Sequence, residues 1–397
     1  MTRVFILMMD SFGIGGAPDA AKFNDEGADT FGHIADTFPN LKVPNLVKLG
    51  LVKAANAASG SSRSLSDEGA KINIPSCYGH SIEKSMAKDT SSGHWEIAGV
   101  PIEKPWGYFK PDYPSFPEEL INKICARANL KGILGNKAAS GTEIIKELGE
   151  QHIKSGLPIC YTSVDSCFQV AAHEKYFGLQ KLYDFCQIAF EEIKPYNIAR
   201  IIARPFEGET PDDFYRTKNR HDYSVNPPQP TLLDVVKNSG REVIGIGKIS
   251  DIYAGCGISK KILASGHEEL WNKTIETSKT ASNQSLIFTN FVDFDMVYGH
   301  RRNTKGYAEA LEYFDSRLPE FAKTMQKDDV AFIVADHGND PTAKGTDHTR
   351  EQIPILMFGH NITPHYLGQR QTFADVGQTI AEIFGLKLEH GTSFYKD

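Results

Sequence analysis

The 397-residue sequence lacks paired cysteines, since its six cysteines are scattered and none forms a CxxC pair. This excludes a disulfide framework and a thiolate zinc site, and it predicts reduced thiols. No apolar run approaches the roughly 20 residues of a membrane span, and Val4–Met9 is too short for a signal-peptide core. The net charge of −7 leaves no basic excess for a general nucleic-acid or anionic-membrane binder. We therefore predict a cytoplasmic protein with a small-molecule partner, and neither a nucleic-acid nor a membrane partner.

Short apolar runs alternate with segments of helical spacing along most of the chain. The predicted strands are Val4–Met9, Val243–Gly247, Ser285–Val292, Val330–Ala335 and Ile353–Phe358. The predicted helices are Pro44–Lys53, Thr231–Asn238, Glu268–Thr280, Lys305–Met325 and Phe373–Phe384. This alternation predicts an α/β fold with a doubly wound, mostly parallel sheet.

A stretch rich in proline and aromatic residues, PIEKPWGYFKPDYPSFP, begins at Pro101 and predicts a crossover into a second domain. The domains predicted are a core of residues 1–100 and 226–397, and an inserted smaller α/β cap of residues 101–225. Strands are predicted there at Pro158–Val164 and Ile198–Ala203, and helices at Glu118–Asn129, Thr142–Ile153 and Leu182–Ile193. The pattern from Ser140 to Glu143 predicts a capping box.

Acidic residues and histidines collect at the predicted strand exits. They are Asp10, Asp295, His300, Asp336, His337 and His348. Asp10 alone is also typical of a helix cap or turn. Three carboxylates and three imidazoles are too many for one tetrahedral site, and they suit two neighbouring ions. A ligand set of oxygen and imidazole without thiolate favours manganese or zinc.

Residues Lys88–Gly93 place three hydroxyls beside a cation and a glycine. One interpretation is a cap for a helix that begins at His94, with Glu96 as the capping-box partner. The other is a presented nucleophile. No base is paired with Thr90 in the sequence, so activation by bound metal is the most economical way to use this hydroxyl.

Ten motifs spread over nearly the whole chain carry a resemblance to a known family. They are MDSFGIGGAPDA (9–20), KDTSSGHWEIAG (88–99), GNKAASGTEI (135–144), YTSVDS (161–166), IARPFEGE (202–209), RTKNRHDY (216–223), IGKISDIYAG (246–255), VDFDMVYGHRR (292–302), ADHGNDPTAKGTDHTRE (335–351) and RQTFADVG (370–377). With them the chain resembles the phosphopentomutases of the alkaline phosphatase superfamily. Ser92 is a departure, because the family usually has threonine there.

The resemblance implies an isomerase that interconverts α-D-ribose 1-phosphate, or its 2-deoxy analogue, with the 5-phosphate in nucleoside salvage. It implies two divalent ions, with manganese the predicted metal. One ion would be held by Asp10, Asp336 and His337, and the other by Asp295, His300 and His348. Thr90 would bridge the ions, carry the phosphate and pass through a 1,5-bisphosphate, after priming by a sugar bisphosphate.

The cap is expected to close over the site, because a phosphoenzyme must be kept from water. The candidates for the ribose hydroxyls are Ser163 and Asp165. Those for the distal phosphate are Arg200, Arg204, Arg216, Arg220 and Lys248, since guanidinium forks match phosphate. Residues predicted to be structural or solvated are His80, His94 and His221. The pair Arg301–Arg302 is interpreted equally as a phosphate contact or a solvated pair. Asp340 and Asp347 are predicted to have loop roles, with Asp347 also a candidate to orient an imidazole.

Two rival functions stay open at this point. A hydrolase or a phosphoglycerate mutase could share the metal core, but the motifs within the cap favour a pentose substrate. A metal-stabilised binding protein is disfavoured, because none of the seven ligand and nucleophile positions is missing.

Overall fold

The computed structural model describes residues 2–163 and 166–395. The chain divides into two compact units, a larger one of Met1–Lys104 with Asn226–Asp397 and a smaller one of Pro105–Val225. Among the described residues, no helix combines the length and the apolar character needed to cross a membrane.

The elements follow one another in the alternating pattern of an α/β protein. The strands are β1 (Val4–Met8), β2 (Ser76–Ser81), β3 (Leu134–Ala138), β4 (Ile159–Thr162), β5 (Cys167–His173), β6 (Arg200–Glu207), β7 (Tyr215–Arg216), β8 (His221–Ser224), β9 (Val243–Ile246), β10 (Lys260–Ile262), β11 (Leu286–Asn290), β12 (Val330–Val334), β13 (Ile353–Phe358) and β14 (Tyr366–Arg370). The helices are α1 (Thr30–Thr37), α2 (Pro44–Leu49), α3 (Leu51–Ser59), α4 (Thr90–Ile97), α5 (Glu118–Arg127), α6 (Gly141–Ser155), α7 (Leu179–Glu192), α8 (Leu232–Asn238), α9 (Ile249–Ile252), α10 (His267–Thr280), α11 (Thr304–Ala322) and α12 (Ala374–Ile383).

The larger unit is built on an eight-stranded sheet in the order β10-β9-β11-β1-β12-β13-β2-β14. Every neighbouring pair is parallel except the two that β13 makes, with β12 and β2. The central strands β11, β1 and β12 are buried along their whole length, as expected for parallel strands covered on both faces. The predicted mostly parallel α/β fold is confirmed.

The smaller unit has its own sheet, in the order β3-β4-β5-β6-β7, with β8 also paired to β6. Alternate residues of β4 enter two different cores. Cys160 packs with helices α5 and α7 on one face, and Ile159 and Tyr161 pack with α6 on the other. Both faces of this sheet are therefore covered by helices.

Several sequence predictions about individual elements are wrong in detail. The single helix expected at Pro44–Lys53 is two helices, because Gly50 has a left-handed backbone (φ +107°) that ends α2 and precedes α3. Ser140 is the N-cap residue of α6 but makes no side-chain cap hydrogen bond, and Glu143 is exposed to solvent. Strands β2 and β5 were not predicted, since polar residues interrupt their apolar character.

The buried imidazole of His152 predicts a pH-dependent stability in the smaller unit. Its Nδ1 donates to the carbonyl of Leu157 (2.6 Å), and its Nε2 accepts from the backbone N–H of His173 (2.9 Å). A proton on Nε2 would point at the N–H of His173 and would break that hydrogen bond. Burial lowers the pKa of His152 from 6.5 to about 4, so its contribution to stability is present above pH 6.5 and is lost as the pH falls toward 4.

We expect the free energy of unfolding, measured in urea, to decline between about pH 7 and 5 in both the wild type and His152→Gln. The decline should be steeper in the wild type, by up to about 1.4 kcal/mol per pH unit. His221→Gln is the matched control, because His221 is exposed in the same unit. Equal slopes in the wild type and His152→Gln would refute this assignment.

Candidate metal centre

Three carboxylates meet where adjacent parallel strands end. In the register of β1 with its two neighbours, Met8 lies beside Asn290 and Val334. Asp10 and Asp336 each follow the ends of β1 and β12 by two residues, and Asp295 lies in the π-helical turn Phe294–Gly299 that follows β11. All three carboxylates are buried. Parallel strands thus bring to one edge side chains that are far apart in the sequence.

A closed loop then adds two imidazoles to this edge. The backbones of Gly338 and Thr349 pair through two hydrogen bonds of 3.0 and 2.8 Å. This pairing closes the segment between them and brings His348 beside His337, with ring centroids 4.0 Å apart. The loop therefore turns two histidines separated by ten residues into neighbours.

Asp295, His300 and His348 form one potential metal-binding group. The Nε2 atom of His300 lies 3.1 Å from Oδ2 of Asp295, and Nε2 of His348 lies 3.4 Å from Oδ1. The two Nε2 atoms are 3.1 Å apart. These ligand atoms lie within 4.8 Å of one another, so one ion could contact all three residues.

A second group lies around Asp10. The Nε2 atom of His337 is 3.7 Å from Oδ1 of Asp10 and 3.4 Å from Oδ2 of Asp336. Two further sets of three ligand atoms, each within 4.8 Å, share Asp10: one adds Asp295 and His337, and the other adds Asp336 and His94. The six predicted ligands are therefore brought together, and His94 joins them.

Hydrogen bonds orient the imidazoles toward the centre. The Nδ1 atom of His300 donates to the carbonyl of Thr346 (2.6 Å), and Nδ1 of His337 donates to the carbonyl of Gly338 (3.0 Å). With the proton on Nδ1, the Nε2 lone pair of each ring points at the carboxylates. This is the arrangement typical of a metal-binding histidine.

The charge distribution fits a bound cation. Burial, followed by the charges of Asp336 and Asp295, raises the pKa of the Asp10 carboxyl well above its usual range. Within the part of the chain that the structure describes, the buried Oδ1 of Asp10 has no hydrogen-bond partner. A buried acceptor of this kind is costly unless something positive meets it. Divalent ions bound by carboxylate and imidazole would satisfy both features.

Thr90 is the first residue of helix α4, and its Oγ1 lies 3.3 Å from Nε2 of His337. The helix does not begin at His94, as the cap interpretation required. Its N-cap is Asp89, whose carboxylate accepts from the backbone N–H groups of Ser91 (3.0 Å) and Ser92 (3.3 Å). The hydroxyl of Thr90 is therefore presented to the ligands at a helix N-terminus, where a phosphate is favoured.

Glu96 is not the capping-box partner. Its carboxylate accepts from the backbone N–H of Lys84 (2.8 Å) and from that of Phe373 (3.0 Å), so it joins separate segments of the larger unit. The partner in the capping box is Ser92, whose hydroxyl accepts from the N–H of Asp89 (3.2 Å).

Comparison with known proteins identifies the family. Residues 2–388 match the Metalloenzyme superfamily. The chain is 63% identical over 396 residues to the phosphopentomutase of Elusimicrobium minutum, covering 99% of this chain and all of that protein. The chain belongs to the phosphopentomutase family. It is also 54% identical to the phosphopentomutase of Shewanella loihica, again over 99% of this chain and all of that protein.

A solved structure of the phosphoglycerate mutase of Leishmania mexicana has a TM-score of 0.47 and 12% identity, covering 99% of this chain and 97% of that one. The sequence relatives, at 63% and 54% identity, confirm the resemblance to phosphopentomutases, and the family match over residues 2–388 confirms membership of the Metalloenzyme superfamily.

Three polar residues that contact the candidate ligands were not among the predicted site residues. His94 was predicted to be structural, but its Nδ1 lies 2.9 Å from both the carbonyl of Thr90 and Oδ2 of Asp336. Asn290 donates to Asp10 (2.8 Å), and Asn339 donates to Asp295 (2.7 Å). The only available signal was their position within or beside the family motifs.

The carboxylates of Asp340 and Asp347 make contacts that stabilise the loop. Asp340 accepts from His33 (2.6 Å) and from the N–H of Asp29 (3.1 Å), in keeping with a loop role. Asp347 accepts through Oδ1 from the backbone N–H of His348 (2.8 Å), and its Oδ2 lies 3.3 Å from Nζ of Lys88. Its carboxylate therefore stabilises the loop backbone.

In the smaller unit, part of the predicted substrate set is connected by hydrogen bonds. Gln169 donates to Oγ of Ser163 (3.1 Å) and accepts from Nε of Arg204 (2.6 Å). Arg220 is paired with Asp222 at 2.7 and 2.6 Å. The charges of Arg200 and Arg204 also act on Asp222, whose pKa is lowered despite its burial.

The remaining candidates are placed differently. Arg216 donates to the hydroxyl of Thr142 (2.5 Å). Asp165 lies outside the described residues. In the larger unit, Lys248 is the N-cap residue of α9, its Nζ lies 3.8 Å from the sulfur of Met296, and its charge favours the ionised form of Asp10.

Proposed function

We propose that Thr90 is the phosphate carrier of a phosphopentomutase reaction on ribose 1-phosphate and 2-deoxyribose 1-phosphate. The observation that carries the proposal is the position of its hydroxyl, at the N-terminus of α4 and 3.3 Å from Nε2 of His337. Two divalent ions bound by the six ligands would polarise phosphate oxygens and stabilise negative charge. We propose manganese as the physiological metal.

In the proposed cycle, phospho-Thr90 transfers its phosphoryl group to the free hydroxyl of the sugar phosphate. The bond from phosphorus to Thr90 Oγ1 breaks and a bond to the sugar oxygen forms, while the proton lost by the sugar hydroxyl balances the one that Thr90 Oγ1 gains as it becomes a hydroxyl again. The product is a 1,5-bisphosphate. After reorientation, the other phosphate returns to Thr90 and leaves the isomeric monophosphate. A sugar bisphosphate would supply the first phosphate to an unmodified Thr90.

The helix N-terminus supports this role of Thr90. The positive end of the α4 dipole favours a phosphate on Thr90 over an uncharged hydroxyl. Asp89 already engages the N–H groups of Ser91 and Ser92, which fixes the first turn before phosphate arrives. The local helix thus presents the hydroxyl in a defined position.

For substrate binding, we propose that Ser163 contacts the sugar hydroxyls and that Arg200, Arg204 and Arg220 bind the distal phosphate. The half-buried guanidinium of Arg204 is held by Gln169, so it could form a bidentate contact with little loss of side-chain entropy. Asp165 and Lys248 complete the proposed set. The 101–225 cap, the exclusion of water and the cytoplasmic location stay predictions.

The test is to incubate the manganese-loaded protein with α-D-ribose 1-phosphate and a catalytic amount of ribose 1,5-bisphosphate. We expect formation of ribose 5-phosphate to exceed release of inorganic phosphate by roughly 10²-fold or more, because transfer to the sugar must outcompete transfer to water. The two products are measured in the same samples. Inorganic phosphate as the main product would replace the mutase with a phosphatase.

A further inference from the structure

Arg302 lies beside the metal centre and is not the solvated residue that the Arg301–Arg302 pair suggested. It follows the turn Phe294–Gly299 and has a left-handed backbone (φ +53°), which is uncommon for a side chain of this size. Its guanidinium donates to four oxygens. These are Oδ1 of Asn339 (2.5 Å) and the carbonyls of Gly345 (2.6 Å), Gly299 (3.0 Å) and Asp347 (3.1 Å).

Through Asn339, Arg302 is linked to the predicted ligand Asp295. Because Oδ1 of Asn339 accepts from Arg302, the amide must turn its Nδ2 the other way. That Nδ2 donates to Oδ1 of Asp295 at 2.7 Å. Arg302 therefore determines which face of the amide meets the Asp295 carboxylate, and the amide leaves the other Asp295 oxygen toward His300.

The other contacts fix the loop that holds the imidazoles. Arg302 binds the carbonyls of Gly345 and Asp347, and the carbonyl between them, that of Thr346, accepts from Nδ1 of His300. His348 is the next residue along the chain. One guanidinium thus holds the backbone on both sides of the acceptor that sets the His300 tautomer.

We propose that Arg302 is a positioning residue for the ion bound by Asp295, His300 and His348. The proposal rests on the two-ion function proposed above. A positive charge here would by itself repel a metal cation, because it lies close enough to act on Asp295, Asp340 and Asp347. Positioning and charge therefore predict opposite effects on metal affinity when Arg302 is replaced.

In the experiment, metal-free protein is titrated with Mn²⁺. Calorimetry and electron paramagnetic resonance measure how many ions bind and how their affinities compare. In Arg302→Lys and Arg302→Ala we expect one of two equivalents to bind about 10- to 100-fold more weakly while the other is unchanged. Lysine keeps the charge but cannot span these acceptors as the guanidinium fork does. Arg301→Ala is the matched control, because Arg301 is exposed, and it should match the wild type.

Asn339→Ala supplies a second measurement of the same link. If Arg302 acts through Asn339, the double variant should lose much less affinity than the sum of the single losses. Fully additive losses would overturn the link through Asn339. Unchanged binding in Arg302→Lys, or tighter binding in Arg302→Ala, would overturn the positioning role. Fewer than two ions bound by the wild type would instead refute the two-ion proposal, so the two failures are distinguishable.

Discussion

Thr90→Ala is expected to lower the rate of ribose 1-phosphate isomerisation by roughly 10⁴-fold or more, as loss of a covalent nucleophile does in other enzymes. Alanine has no oxygen to accept the phosphoryl group, and no metal-binding imidazole or carboxylate is removed. The variant should therefore still bind divalent metal while it fails to gain phosphate from a sugar bisphosphate. Initial rates, metal content and intact-protein mass measure these three properties separately.

The neighbouring hydroxyls provide the controls for this prediction. Ser91→Ala lies in the same helical turn and removes a hydroxyl that makes no hydrogen bond within the described residues, so it should change the rate by no more than about 2-fold. Ser92→Ala removes a capping contact to Asp89 and should reduce stability by about 1 kcal/mol while retaining turnover. Loss of turnover in Ser91→Ala with retention in Thr90→Ala would move the nucleophile to Ser91.

The meeting of the candidate ligands at one edge could be predicted because it follows from a general property of parallel sheets. An acidic residue two positions beyond a buried strand, as at Asp10 and Asp336, points to the carboxyl edge of the sheet regardless of the side-chain packing. The family motifs added Thr90 and the division of ligands between ions. Neither source required knowledge of the loops.

The groups that hold these ligands could not be predicted in the same way. The pairing of Gly338 with Thr349, which brings His348 to His337, is an isolated backbone contact without a sequence pattern. Asn339 and Arg302 resemble ordinary polar loop residues until their partners are known. Strand β2 was missed because its residues, SCYGHS, lack the apolar run that identified the central strands.

Gly93→Ala is expected to lower the turnover number by roughly 10²-fold, because a displacement of about 1 Å can have this effect on positioned groups. A Cβ atom at Gly93 would lie 2.0 Å from the backbone carbonyl oxygen of Asp336 and 2.7 Å from its carbonyl carbon. Neither backbone atom can rotate away, so helix α4 must move and carry Thr90 from His337. The measurements are the turnover number and the free energy of unfolding, which should fall by about 1–3 kcal/mol.

Gly16→Ala is the control, since its added Cβ would meet nothing closer than the carbonyl oxygen of Ala28 at 3.6 Å, an ordinary contact. It should retain the wild-type turnover number. A normal turnover number in Gly93→Ala would mean that this contact does not hold the nucleophile in place.

The metal titration distinguishes a displaced ligand in Gly93→Ala from a general loss of stability. The clash in Gly93→Ala falls on the backbone of Asp336, whereas Asp295 lies in the turn Phe294–Gly299 and His300 directly follows that turn. The weakened ion should therefore be the one assigned to Asp10, Asp336 and His337. Arg302→Lys is expected to weaken binding of the other ion, the one assigned to Asp295, His300 and His348. If the ligands are divided as proposed, each variant should therefore keep the ion that the other variant loses. The same ion weakened in both would refute that division.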